Sequence, residues 1–250
     1  MHRFYIAPGN TAAGKLELTG GEAHHAARVL RVRPGEEVQV LNGAGLRWLC
    51  TVSSVQRDSV SLEVLRKEEV PAPACEVTLV QAIPKGKIIE SIIQKATELG
   101  ARRVVPILSE RVVTHLDDAS ALDKQEKWQQ VAVEAVKQCG AAWLTEVEKP
   151  VTPAEFLAQK PMFDLSLVAS LRQGSRPPRH VFSAWQSEHG RPPGSVSVWV
   201  GPEGDFSFAE YDLIEASGAR AISLGSLVLR VETAAIYCLS VIHHEVADGQ

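Results

Sequence analysis

The first quarter of the chain follows a two-residue hydrophobic period. Residues 15–18, 38–41, 46–55 and 60–64 alternate apolar and polar side chains, the pattern of strands that bury one face. Turn-forming residues separate them at Pro34-Gly35, across 42–45 and across 57–59, so the segment predicts a small β-barrel. One stretch departs from the period. Residues 21–33 have helical spacing and carry Arg28, Arg31 and Arg33 beside His24 and His25.

Near residue 70 the period changes. Residues 66–74 are charged, contain two prolines and show no periodicity, which places a domain boundary between residues 72 and 73. Beyond it, apolar runs at 76–82, 104–108, 165–169, 196–200 and 221–224 alternate with helical patterns. The clearest helices are an amphipathic one over 88–99, closed by Gly100, and a long one over 123–139. This alternation predicts an α/β domain, 73–250, on a mostly parallel sheet covered on both faces. The proline pairs within 176–179 and 191–194 flank a short helical piece and read as surface loops.

Two turns late in the chain draw the chemistry together. The run 196–200 stops at Gly201-Pro202-Glu203-Gly204, and Ser207 with Glu210 forms a capping-box signature for a helix starting near Phe208. Phe206 and Tyr211 have the spacing of a hydrophobic staple, and Gly218 is placed to stop that helix. The run 221–224 ends in turn at Leu224-Gly225, and residues 229–233 lead into a long apolar helix ending near His244. Both turns leave approachable main chain at strand ends, where open α/β sheets bind ligands. Arg230 and Glu232 stand at the second of them, where apolar packing alone does not call for charge.

Composition narrows the classes. A chain of 250 residues, 45% hydrophobic and 22% charged, has the make-up of a soluble globular protein. Four scattered cysteines give neither a disulfide framework nor zinc spacing, and His24 and His25 lack a third ligand, so no metal site is expected. No segment has the length or apolarity of a signal peptide or a membrane span, which fits a cytoplasmic protein. The net charge of −4 argues against indiscriminate coating of nucleic acid. Its distribution is uneven: Met1 to Ala72 carries nine basic against eight acidic residues, leaving 17 against 22 in the rest. From charge alone, the arginines of 21–33 serve equally as a solvated face or as phosphate ligands.

Common ligand motifs are missing. No Gly-x-Gly-x-x-Gly follows the first strand of the α/β part, and Pro84-Lys85-Gly86-Lys87 lacks the upstream glycine and the Ser or Thr of a P-loop. There is no nucleophile elbow and no His-Glu-x-x-His helix. The site must come from the late strand ends.

The two turns, Gly201-Pro202-Glu203-Gly204 and Leu224-Gly225 through Leu229-Arg230 with Glu232-Thr233, resemble the paired signatures of the ribosomal small-subunit uridine-N3 methyltransferases, the methyltransferase E family of the knotted SPOUT class. Lys95 to Gly100, Ser109 to Arg111, Gln138 to Gly140 and the segment from His25 to Arg31 extend the resemblance over nearly the whole chain. It implies a PUA-like RNA-binding β-barrel over 1–72 and a SPOUT α/β-knot over 73–250, a mostly parallel sheet with a trefoil knot. It implies S-adenosylmethionine as cofactor, held by Ala169, Ser170, Val200, Gly201, Gly204, Leu224, Gly225, Ser226 and Leu229. Arg230 would then stabilise the developing uracil anion or the flanking phosphate, with Glu203 and Glu232 as base or arginine-orienting groups, and Arg28, Arg31 and Arg111 would meet RNA. The implied partners are small-subunit (16S) ribosomal RNA or the assembled subunit, and a second copy of the chain. Two other readings stay open at this stage: a non-catalytic RNA-binding or ribosome-assembly module, and a SPOUT enzyme acting on transfer RNA. The chain departs from the family pattern at Asp205, where a second glycine is usual, and at Val231, where threonine is usual. It departs again at Ala141, in place of an arginine, and at Thr114-His115, where a lysine is common.

Overall fold

The computed structural model describes residues 1–9, 15–111 and 118–247; Thr114 and His115 lie outside the described residues. Two compact units are present, Met1–Ala72 with Val133–Leu144, and Pro73–Ala132 with Thr145–Gln250.

In the first unit, strands β1 (His2–Tyr5), β2 (Lys15–Thr19), β3 (Glu37–Leu41), β4 (Leu46–Val55) and β5 (Ser59–Glu69) form one sheet in the order β1-β3-β4-β5-β2. The β1–β3 pair is parallel and the others antiparallel. Alternation does the work expected of it: Leu16, Leu18, Val38, Val40, Trp48, Cys50, Val52, Val60 and Leu62 all point into one core. Register shifts between Leu49 and Cys50 and between Val52 and Ser54 put irregularities into the β4–β5 ladder, and such bulges bend a sheet into a curl.

The segment 21–33 is not one regular helix. A short α1 (Gly20–His24) passes into a π-helical stretch, His25–Leu30, which stops at Arg31 in the left-handed conformation at φ 55°. Arg28, Arg31 and Arg33 are exposed, while the ring of His25 packs edge-on to Phe4.

Residues 133–144 join this unit through main-chain bonds, from Gly45 N to Ala142 O and from Leu144 N to Gly43 O. A Cβ at Gly45 would stand 2.7 Å from the Trp143 ring and 2.9 Å from the Val70 carbonyl, so only glycine fits. Arg3 donates to the carbonyls of Gln138 at 2.7 Å and Lys137 at 3.3 Å, the free acceptors of a helix C-terminus. Lys137, 7% exposed, is held by Glu22 and Glu134, each at 2.7 Å. Burial works against its charge, but these two carboxylates outweigh it and raise its pKa.

The second unit is built on a wholly parallel sheet. Its strands β6 (Glu76–Ala82), β7 (Arg103–Ile107), β8 (Glu146–Val147), β9 (Leu165–Ala169), β10 (Ser195–Val200) and β11 (Arg220–Ile222) lie in the order β11-β9-β10-β6-β7-β8. Between them run α2 (Ile88–Glu98), α3 (Asp118–Cys139, whose last turns belong to the first unit), α4 (Pro153–Ala158), α5 (Pro178–His189) and α6 (Phe208–Ala216), with α7 (Val231–Ala247) last. Trp199 is in register with Val80 and Val168, and Val80 with Val105. This row faces Phe156 of α4 and Tyr211 and Ile214 of α6. Helix α2 buries Ile89, Ile92, Ile93 and Ala96 and packs against α7.

Several boundaries differ from the sequence reading. Helix α5 starts at Pro178, inside the proline pair read as a loop, because proline is well suited to a helix's first turn. Strand β11 ends at Ile222, so Leu224 and Gly225 belong to a loop and not to a strand end. Strand β1 carries no distinct pattern of its own in the sequence; helix α4 does, since Thr152-Pro153-Ala154-Glu155 is a capping box with proline at the first helical position, a signal the sequence reading passed over.

Candidate functional site

All strands of the second unit run parallel, so β6, β9 and β10 end at the same edge of the sheet. The last step of the chain adds a fourth element there. Strand β11 pairs with β9, whereas α7 lies against β10, β6 and α2. Residues 223–230 therefore cross the ends of β9 and β10 to join them. Between that crossing segment and the strand ends is a cavity of about 500 Å³.

Ala169 and Ser170, at the end of β9, form one wall, and Val200 and Gly201, at the end of β10, form the next. Leu224, Gly225 and Leu229 of the crossing segment supply the third. Gly225 has φ 114°, a conformation that favours glycine. Gly204 and Ser226, though expected with this group, are not among the lining residues. Leu171, Leu227 and Val228, which sequence reasoning did not single out, line the cavity while remaining 63%, 74% and 79% exposed. They give its mouth an apolar lip.

The charged candidates fall on the same cavity. Arg230, Glu203 and Glu232 all line it. The carbonyl of Arg230 accepts the first bond of α7, from Ala234 N at 2.8 Å, so the helix fixes its backbone while its side chain is exposed. Glu203 is partly committed, since its Oε1 accepts from Lys85 N at 3.0 Å. That bond ties the Gly201–Gly204 turn to the loop after β6. Glu232 stands in the first turn of α7.

The turn after β10 is braced from two sides. Ser207 and Glu210 make the capping box foreseen, with Glu210 N donating to Ser207 Oγ at 3.2 Å and Ser207 N donating to Glu210 Oε2 at 2.8 Å. The staple also forms, Phe206 and Tyr211 meeting edge to face with centroids 5.7 Å apart. Glu210 does more than cap. It is 5% exposed and accepts from Ser109 Oγ at 3.0 Å and Glu110 N at 2.9 Å, which anchors the loop after β7. Arg111, next on that loop, donates to the Gly204 carbonyl and lays its side chain on Gly204.

Asp205 adopts φ 62°, a left-handed conformation. A glycine suits this position, and aspartate tolerates it better than most residues do. Its Oδ1 accepts from Phe206 N at 2.9 Å and from Tyr211 Oη at 2.8 Å. Tyr211 is buried, which pushes its phenol far above the usual range and keeps it a donor.

Among the described residues no cluster of three or more metal-ligating side chains occurs, and no helix is long and apolar enough to cross a membrane. The cavity thus offers mostly apolar residues, with Arg230 and the carboxylates of Glu203, Asp205 and Glu232 on its wall. Such a surface suits an extended organic ligand with a planar part.

Comparisons with known proteins agree with this architecture. An RNA methyltransferase domain profile matches residues 71–243, and an RNA methyltransferase PUA domain profile matches residues 18–65. The chain is 33% identical over 238 residues to the ribosomal RNA small subunit methyltransferase E of Bacillus subtilis, covering 93% of this chain and 91% of that protein. A Legionella pneumophila protein solved with S-adenosylmethionine as bound cofactor is 31% identical at a TM-score of 0.85, covering 97% of this chain and 96% of that one. The Neisseria gonorrhoeae ribosomal RNA small subunit methyltransferase E, solved with S-adenosylmethionine, is 26% identical at a TM-score of 0.83, covering 98% and 97%.

Proposed function

Because the chain belongs to the ribosomal RNA small subunit methyltransferase E family, we propose that it methylates N3 of a uridine in small-subunit ribosomal RNA, with S-adenosylmethionine as donor. The observation that carries this reading is the convergence of Ala169-Ser170, Val200-Gly201, Leu224-Gly225 and Leu229 on one cavity with Arg230 at its wall. The residues fit the donor. Main-chain amides and carbonyls at these loops are assigned to the edge of an adenine, and the apolar side chains of Val200, Leu224 and Leu229 to its faces.

S-adenosylmethionine brings a methyl group already activated on a sulfonium. The protein's part is then to hold the uracil in line, to accommodate the charge that grows on it and to take the N3 proton. Arg230 is assigned the charge, since a guanidinium stays cationic and directional at any physiological pH. Glu203, already bonded to Lys85 N, is assigned the task of holding the turn. Glu232 is assigned the proton. The target base must leave its stack to enter, and the apolar lip of Leu171, Leu227 and Val228 offers it a surface. Arg111 is assigned to an RNA phosphate, and so are Arg28 and Arg31. The protein is assigned to the cytoplasm and to a homodimer, and light scattering tests the second.

The experiment is methylation of small-subunit RNA and of assembled subunits by the purified protein, with mass mapping of the product nucleoside. The expected product is 3-methyluridine, and Arg230→Ala is expected to slow its formation roughly 100-fold or more while the protein stays folded. Methyl transfer to another atom or to transfer RNA, or a wild-type rate in Arg230→Ala, overturns the respective assignment.

A further inference from the structure

We propose that Asp205 and Tyr211 are a positioning pair that locks two walls of the cavity together for the methyl donor; the inference rests on the donor-binding reading above. The Tyr211 hydroxyl lies 2.8 Å from Asp205 Oδ1 and 3.2 Å from the Ala169 carbonyl. Asp205 belongs to the turn after β10, and Ala169 ends β9. One side chain therefore spans two of the three walls.

The contacts around the pair make the coupling specific. Asp205 Oδ1 also accepts from Phe206 N, and it leans so far over the turn that a Cβ at Gly201 would meet it at 2.9 Å. The position of Gly201, a wall of the cavity, is therefore set against the Asp205 carboxylate. Tyr211 is fixed in its turn: it is 2% exposed, its ring meets Phe206 edge-on, and the Arg172 guanidinium lies 4.8 Å from its centroid. A hydroxyl on a side chain so constrained has little freedom to follow a moving acceptor, which is what a positioning element requires.

Asp205 holds a left-handed conformation, φ 62°, in which glycine is the ordinary residue. Glycine would adopt the same left-handed conformation with less strain, but it would leave the buried Tyr211 hydroxyl with fewer acceptors. Here the strained residue occurs together with a tyrosine that donates to it.

The experiment is titration calorimetry with S-adenosylmethionine and with its demethylated product, beside thermal melting of each variant. Tyr211→Phe keeps the ring and removes the hydroxyl. Asp205→Gly keeps the turn and removes the acceptor. Each is expected to weaken donor binding roughly three- to tenfold, about the net worth of one hydrogen bond. The double variant is expected to lose less affinity than the two single losses combined, because both remove the same Tyr211–Asp205 link, while each also removes one bond of its own, to the Ala169 carbonyl or to Phe206 N. Asp205→Asn, which keeps an acceptor oxygen, is expected to restore most of the affinity lost in Asp205→Gly. Variants that melt early yet bind with wild-type affinity would show a purely structural pair and overturn the inference, as would losses that simply add. Absence of binding by the wild-type protein is a separate result: it overturns the donor-binding reading, and the pair's role falls with it.

Discussion

Replacing Glu210 by alanine removes three accepted hydrogen bonds from a side chain only 5% exposed: from Ser207 N, from Ser109 Oγ and from Glu110 N. Ser207 N loses its acceptor, although Ser207 Oγ still accepts from the amide of residue 210, and this half of the capping box costs about 1 kcal/mol. The buried Ser109 hydroxyl loses its acceptor outright, and Glu110 N must turn to water, which together add about 2 kcal/mol. The total of about 3 kcal/mol corresponds to a fall in melting temperature of roughly 6–12 °C for a unit of this size. Glu210→Gln keeps the shape and one acceptor oxygen, so about half of that loss is expected. Differential scanning calorimetry of the two variants reads both numbers. The loop that Glu210 holds also carries Arg111 to the Gly204 carbonyl, so Glu210→Ala is expected to weaken RNA binding at temperatures where it is still folded. A melting temperature within about 2 °C of wild type for the alanine variant would refute the reasoning, because a buried acceptor of three bonds cannot be removed so cheaply.

Gly201→Ala places a Cβ 2.9 Å from Asp205 Oδ1 and 3.2 Å from Phe206 N, both held by other bonds; calorimetry is expected to show donor binding at least about tenfold weaker, since the turn must shift to make room. Lys137→Met leaves Glu22 without its buried cation and is expected to cost about 2–3 kcal/mol in urea unfolding of the first unit. The raised Lys137 pKa gives the sign with pH: its stabilisation is fully present below 10.5, the ordinary value, and is lost as pH rises through the higher folded value. The difference between wild type and Lys137→Met should therefore be flat near neutrality and shrink only in strong alkali. Burial pushes the thiols of Cys50 and Cys75 up to about 11 and that of Cys238 up to about 12, while Cys139 is exposed. Alkylation of the native protein near neutral pH is expected to modify Cys139 alone, with all four reacting after unfolding, as mass spectrometry would show.

Signals that act within one turn of chain were legible. Ser207 with Glu210, Phe206 with Tyr211, and the alternation of Leu16 and Leu18 or of Val38 and Val40 each state a local geometry, and each geometry is present. Partners distant in sequence were not. Glu210 was readable as a cap, yet its bond to Ser109 joins residues 101 apart. Arg3 gave no hint that it would satisfy the Gln138 carbonyl, 135 residues away. The π-helical stretch was missed for a related reason: the apolar spacing of 21–33 fits a helix, but periodicity does not register an added residue per turn ending at a left-handed Arg31.

The cavity shows most sharply where local reading stops. Alternating apolar runs and helical patterns predict parallel strands, and parallel strands share an edge where their C-terminal ends meet. Nothing in that alternation says which strands are neighbours. The order β11-β9-β10-β6 is what matters. With β11 outside β9 and α7 back beside β10 and β6, residues 223–230 have only one way across, over the strand ends, and so Leu224, Gly225, Leu229 and Arg230 arrive at Ala169 and Val200. A sheet in sequence order would have left α7 beside its own strand and the two turns apart. The same crossing also explains why two hydrophobic side chains, Leu227 and Val228, can stay exposed at the cavity's mouth: they ride on a segment stretched across the strand ends. The charge of Arg230 then falls at the last residue before α7, where the helix holds its carbonyl and leaves its guanidinium exposed beside the cavity.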